Sequence, residues 1–263
     1  MKHWTLDEDY HVLIEDVLDN GVNRTGRNGG FTSRFGEVLK HDLRCGFPII
    51  TTRKIAWRQA FGELAAFLEG ATSLARFKEL GCTYWEMNSN GKDDLGPIYG
   101  AQWRNFGGVD QLQQLLEGLQ KNPTSRRHVM STWNPADLEA MCLPPCHLLT
   151  QFHVAKGLLH QTVYMRSVDL CLGLPYDLVL YGLLQHLVAH EVGLEPAEMT
   201  FMLGDAHVYD AHDELWQIQK YRSFASAPPV LATVMGVNLL DFQPGDATFI
   251  NYEPHEAIDY ALL

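Results

Sequence analysis

A chain of 263 residues, 46% of them hydrophobic, can bury a full core as one domain. Its formal net charge of −12 argues against nucleic acid as a partner, so any anionic ligand must be gripped by local clusters of arginine. Five cysteines, odd in number and irregularly spaced, argue against a disulfide framework and for a reducing cytoplasm, that of the host if the source is viral. No apolar run is long enough for a membrane span, and no signal peptide, linker, repeat or low-complexity tract divides residues 1–263, which read as a single domain.

In chain order, Thr5-x-x-Glu8 is a capping box ahead of a helix whose apolar face is Tyr10, Leu13, Ile14, Val17 and Leu18, closed by Gly21. Residues 23–30, NRTGRNGG, form a basic glycine-rich loop leading into an alternating strand. Its backbone N–H groups and Arg24 suit an anion, but the run lacks Walker spacing. The segment GFPIITTRKIAW changes from strand to helix at Thr52, and the helix carries Phe61, Leu64, Phe67 and Leu68 on one face with Glu63 beside it. A carboxylate there is either a helix-flank charge or a deliberately desolvated acid. Trp85, Tyr99 and Trp103 follow in a glycine-punctuated stretch and suit either a planar ligand ring or core filling. After an amphipathic helix ending at Asn122-Pro123, Ser125, Arg126 and Arg127 open a strand. Adjacent arginines on a strand point to opposite sides, so serving one anion together requires a bend or a second subunit.

The stretch Leu143–Tyr181 holds the densest chemistry. Two prolines place Cys146 where a loop enters a strand, an accessible position for a thiol. Alternation before and after Gly157 predicts a hairpin, with Arg166, Ser167 and Asp169 at its exit. Asp177 then falls in the first turn of a long buried helix. Buried Arg and Asp require partners. Downstream, the run EMTFMLGDAHVY is a strand on which His207 and Tyr209 face the same side, and an amphipathic helix follows to Arg222. His186 and His190 are spaced i, i+4, but no HExxH or CxxC completes a metal set, so no metal is expected. The tail returns to a short strand and ends on apolar residues, as a docking segment or lid would.

Taken together, NRTG at 23–26, GFPIITT at 46–52, GELAAFLEG at 62–70, DLGPIYGAQWR at 94–104, NPTSRR at 122–127, LPPCH at 143–147, RSVDLCLGLPYD at 166–177 and LGDAHVY at 203–209 resemble the thymidylate synthases and their relatives, the deoxycytidylate methylases and hydroxymethylases, over nearly the whole chain. The resemblance implies an α/β fold (α+β in its segregation) with a mixed sheet flanked by helices. It also implies a homodimer packed sheet to sheet, each active site completed by the other subunit. It makes Cys146 the nucleophile and assigns phosphate to Arg24, Arg166 and Ser167, with Arg126 and Arg127 reaching in from the partner. His207 and Tyr209 match residues at the deoxyribose hydroxyl, Glu63 the carboxylate that organises proton transfers, and Tyr99 the tyrosine near the reacting carbon. Trp85, Leu143, Asp169, Gly173, Tyr176 and C-terminal residues such as Leu262 match the side of the cosubstrate, 5,10-methylenetetrahydrofolate. Asp169 also counts among the substrate-site groups, and Arg166 and Asp177 among the catalytic ones.

The implied chemistry needs these residue types. A pyrimidine C5 is a poor nucleophile until a thiolate adds at C6, and Arg166 would supply the positive surrounding that a thiolate requires. The main departure from the thymidylate synthase pattern is Asp177, where that family carries Asn and the deoxycytidylate branch Asp. A protonated carboxyl donates to cytosine N3 and accepts from its amino group, and an ionised one still accepts from N4–H and favours protonation at N3. Against uracil it lacks a donor for O4, which points to dCMP. The expected product is 5-methyl-dCMP with dihydrofolate. Alternatives are hydroxymethylation with tetrahydrofolate, which Asn88 in place of a common tryptophan would favour, dUMP methylation, and a catalytically silent nucleotide-binding relative. A Cys146–His147 hydrolase is disfavoured because strand neighbours face apart.

Overall fold

The computed structural model describes residues 6–233 and 236–263, so the Thr5 cap lies outside the described residues. Helix α1 (Leu6–Asn20) is followed by strands β1 (Val22–Gly26) and β2 (Gly29–Asp42). The basic glycine-rich segment is therefore not an open loop: Arg24 pairs with Phe31 across a tight hairpin. Residues 46–56 form no strand and only bends, because Pro48 removes a ladder donor and Gly46 sits at φ 144°; helix α2 begins at Trp57 and runs to Glu69. Helices α3 (Leu74–Glu79), α4 (Tyr99–Arg104) and α5 (Gln111–Lys121) follow.

Strand β3 is only Val129–Ser131, so Arg126 and Arg127 precede it rather than open it. The predicted hairpin is present as β4 (His147–Ala155) and β5 (Leu158–Asp169), turned by Lys156 and Gly157, both at positive φ. Helix α6 (Gly173–Glu191) begins four residues before Asp177, which places that carboxyl in the second turn rather than the first and weakens any helix-dipole role. Strand β6 (Glu195–Tyr209) matches its prediction, but helix α7 (Asp213–Gln219) stops short of Arg222. Short strands β7 (Val230–Thr233) and β8 (Ala247–Ile250) pair beside the body of the fold.

The main sheet has the order β1-β2-β6-β5-β4-β3 and is mixed: β5 and β6 run parallel, the other neighbours antiparallel. Helix α6 is apolar on nearly every side and is buried with α2 in the core. A row of apolar side chains crosses four adjacent strands through the register Val38↔Met202, Met202↔Tyr164 and Tyr164↔Leu149, and Val38, Met202 and Leu149 are exposed. Among the described residues that row is an apolar stripe left open on the sheet. Among the described residues no helix is long and apolar enough to cross a membrane.

Candidate active site

Cys146 is half-buried at the point where the Pro144-Pro145 loop joins β4. Its backbone is fixed from two sides: the Arg166 amide donates to the Cys146 carbonyl at 2.8 Å, and the Cys146 amide donates to the Tyr99 hydroxyl at 2.8 Å. The Arg166 guanidinium donates to the carbonyls of Pro145 (2.7 Å) and Pro144 (3.0 Å), leaving Nη2 3.9 Å from Sγ. Tyr99 reaches this position because α4 crosses α2 closely; a Cβ at Gly100 would lie 2.3 Å from Phe67 Cα. The arginine thus sits where predicted, but it does not dominate. Burial pushes the thiol up, Arg166 pulls it down by less, and Asp177 adds a further push, so the resting sulfur is protonated.

Glu63 faces the same region. It accepts the Trp85 indole N–H at 2.7 Å and the Tyr84 hydroxyl, and burial lifts its pKa to about 7. Trp85, assigned to the cosubstrate side, is 3% exposed, lies edge-on to Tyr99 and commits its indole N–H to Glu63. Burial, with the charge of Glu63, also holds the Asp177 carboxyl well above the usual carboxylate range, although 18% of its side-chain surface stays open. This modifies the uracil argument: a neutral carboxyl that turns over offers O–H to O4 and its other oxygen to N3–H. Only the ionised form excludes uracil, whereas cytosine is served in both states.

His147 is a site residue that the sequence reading set aside. It stacks on Tyr99 with centroids 4.0 Å apart and bonds the Tyr181 hydroxyl through Nδ1 at 2.5 Å. Its Nε2 lies 3.9 Å from Asp177 Oδ1, and burial drives its pKa down to about 3, so the ring is neutral. Strand parity together with Tyr181, one helical turn after Asp177, was the available signal.

The anion-binding candidates fall into two groups. Arg24 bonds Asp205 at 2.9 Å, and Asp205 lies directly opposite Ser167 in the β5–β6 register, so the hairpin and the exit of β5 are brought together. His207 and Tyr209 are neighbours as predicted, 5.0 Å between rings. Arg126 and Arg127 lie exposed ahead of β3, and among the described residues neither guanidinium pairs with a carboxylate. On the cosubstrate side, Asp169 Oδ1 accepts the amides of Cys171 (2.9 Å) and Leu172 (3.1 Å). A Cβ at Gly173 would meet nothing nearer than Asp169 Cβ at 3.9 Å, so ground is left open beside the carboxylate, which fits a ligand ring with amino donors. Tyr176 stands against Tyr84, Leu143 is half-buried and Leu262 is 39% exposed. Asp169, Cys171 and His212 offer ligand atoms within 4.8 Å, but the buried Arg53, donating to the Cys171 carbonyl at 2.6 Å, opposes a cation there.

A thiol at the entry of β4, an arginine of β5 within reach of it and a desolvated glutamate of α2 make a site fit for nucleophilic catalysis. The thymidylate synthase family model matches residues 8–263. The chain is also 40% identical over 279 aligned residues to the thymidylate synthase of equine herpesvirus 2 (strain 86/87), covering 96% of each. It belongs to the thymidylate synthase family, folate-dependent methyltransferases that use methylenetetrahydrofolate and need no metal.

Proposed function

We propose that this enzyme methylates C5 of a pyrimidine deoxynucleoside monophosphate, with dCMP as the preferred base. The Cys146 sulfur adds to C6 as its proton leaves, and Arg166 stabilises the thiolate while it forms. Tyr99 holds the cysteine backbone so that sulfur and C6 meet. Glu63, with a pKa near neutrality, takes and returns protons at the base. Arg24, Arg166 and Ser167 hold phosphate, and His207 and Tyr209 hold the sugar hydroxyl. Methylenetetrahydrofolate, when bound against Asp169, Gly173, Tyr176, Leu143 and Leu262, supplies the one-carbon unit and then a hydride.

The observation that carries the base preference is Asp177: a carboxyl beside the nucleophile serves cytosine protonated or ionised. The dUMP reading is favoured by the name of the herpesvirus relative and by the neutral state that burial imposes on Asp177. A hydroxymethyl product is the reading favoured by Asn88. The exposed Val38–Met202–Tyr164–Leu149 row supports a sheet-to-sheet homodimer in which Arg126 and Arg127 serve the partner's phosphate.

The test is tritium release from C5-labelled dCMP, with Cys146→Ala as the blank. Release that requires both methylenetetrahydrofolate and Cys146 supports the reading. Release from C5-labelled dUMP alone overturns it.

A further inference from the structure

Among the last five residues only Tyr260 is buried: it is 4% exposed, whereas Asp259, Ala261, Leu262 and Leu263 are exposed. Its hydroxyl donates to Gln219 Oε1 on α7 at 2.9 Å. Its ring lies 5.0 Å from the Arg53 guanidinium and meets the His212 ring edge-on at 5.1 Å. Arg53 is itself 2% exposed and, among the described residues, its Nε has no hydrogen-bond partner, so the tyrosine face is a substantial part of what stabilises that buried cation. The next residue continues the contact: His212 Nε2 donates to the Ala261 carbonyl at 2.8 Å. With Nε2 committed as donor, the other nitrogen of His212 faces Asp169 Oδ1 at 3.6 Å. Burial opposes charge on this ring but Asp169 favours it on balance, and as an imidazolium His212 links the tail to the carboxylate beside Gly173 by an ion pair at 3.6 Å rather than a hydrogen bond.

We propose that Tyr260 is a positioning residue, a plug that pins the C-terminal segment to α7 and Arg53, and that His212 couples the seated plug to Asp169. Its second half rests on the reading of Asp169 as a cosubstrate-side group. When the plug leaves, His212 loses its acceptor at Ala261, Arg53 loses its aromatic cover, and both are free to rearrange against Asp169. Cosubstrate binding therefore weakens while nucleotide binding, held by the arginines and by His207 and Tyr209, does not.

The experiment uses the full-length enzyme with Tyr260→Ala and Tyr260→Phe, the second keeping the ring and losing only the Gln219 bond. Carboxypeptidase release of the C-terminal leucines is followed without any ligand, and KM is measured separately for nucleotide and methylenetetrahydrofolate. Expected for Tyr260→Ala are release at least about tenfold faster and a cosubstrate KM raised about tenfold, with the nucleotide KM within about twofold. Tyr260→Phe should fall between Ala and wild type in both measurements. Unchanged release in Tyr260→Ala overturns the plug, whatever the enzyme's substrate. Faster release with an unchanged cosubstrate KM overturns the coupling. A wild type with no folate-dependent turnover overturns the reading of Asp169 and the coupling with it, while the release rates still decide the plug.

Discussion

The Tyr99 hydroxyl accepts the amide of Cys146 at 2.8 Å, so the backbone of the nucleophile is held by a side chain from a helix 47 positions earlier in the sequence. A buried tyrosine is being used to aim a thiol. Replacing it with Phe leaves the Cys146 N–H without that partner, at a cost of about 1–3 kcal/mol. Tyr99→Phe should lower kcat by about tenfold to a hundredfold, with a smaller change in nucleotide affinity. Steady-state kinetics beside a denaturant melt checks this, and an unchanged kcat contradicts the aiming role.

Glu63 makes stability depend on pH. Its folded pKa of about 7 lies above the ordinary value of 4.5, so the protonated form favours folding. That contribution is whole below the ordinary value and is lost as pH rises through about 7, at a cost approaching about 3 kcal/mol. Glu63→Gln should therefore gain stability relative to wild type as pH rises across that window, and it should lose about 10²-fold or more in kcat together with the kinetic limb near neutrality. Urea midpoints and pH–rate profiles of the two proteins decide it.

Asp177 should reveal itself in the ratio of the two bases. Since its pKa is raised by burial, and uracil is served only by the neutral carboxyl, turnover of dUMP should fall as pH climbs and Asp177 ionises. The dCMP/dUMP ratio should rise over the same range. Asp177→Asn should remove this pH dependence and shift preference to dUMP by at least about 10²-fold in the ratio of kcat/KM. A ratio that is flat with pH in the wild type contradicts the hydrogen-bond account.

Shared sites predict complementation. Cys146→Ala and Arg126→Glu homodimers should each be nearly inactive, and mixing them should restore up to about one quarter of wild-type activity through hybrids with one intact site. Native mass spectrometry verifies that hybrids form. Inactive verified hybrids place the phosphate grip within one chain.

The hairpin of β4 and β5, the long strand β6, the pairing of His207 with Tyr209 and the approach of Arg166 to Cys146 were legible in the sequence, because they rest on period-2 alternation and ordered motifs. Residues 46–51 were read as a strand and 52–56 as the start of a helix because an apolar run looks alike whether its backbone ladders or bends around Pro48. The contacts of Trp85 and His147 were hidden for another reason. Both depend on side chains that are distant in sequence, Glu63 for the indole and Tyr181 with Asp177 for the imidazole, and no local pattern records which way a buried ring turns. The protonated resting thiol likewise follows from burial, which a nearby arginine in the sequence does not disclose.

A competition assay decides whether the enzyme prefers cytosine. Equal concentrations of dCMP and dUMP are offered with methylenetetrahydrofolate on the alkaline side of neutrality, where Asp177 ionises, the products are resolved by mass, and dihydrofolate is quantified by absorbance. The expected product is mainly 5-methyl-dCMP, with one dihydrofolate formed per methyl group. Thymidylate as the main product would contradict it.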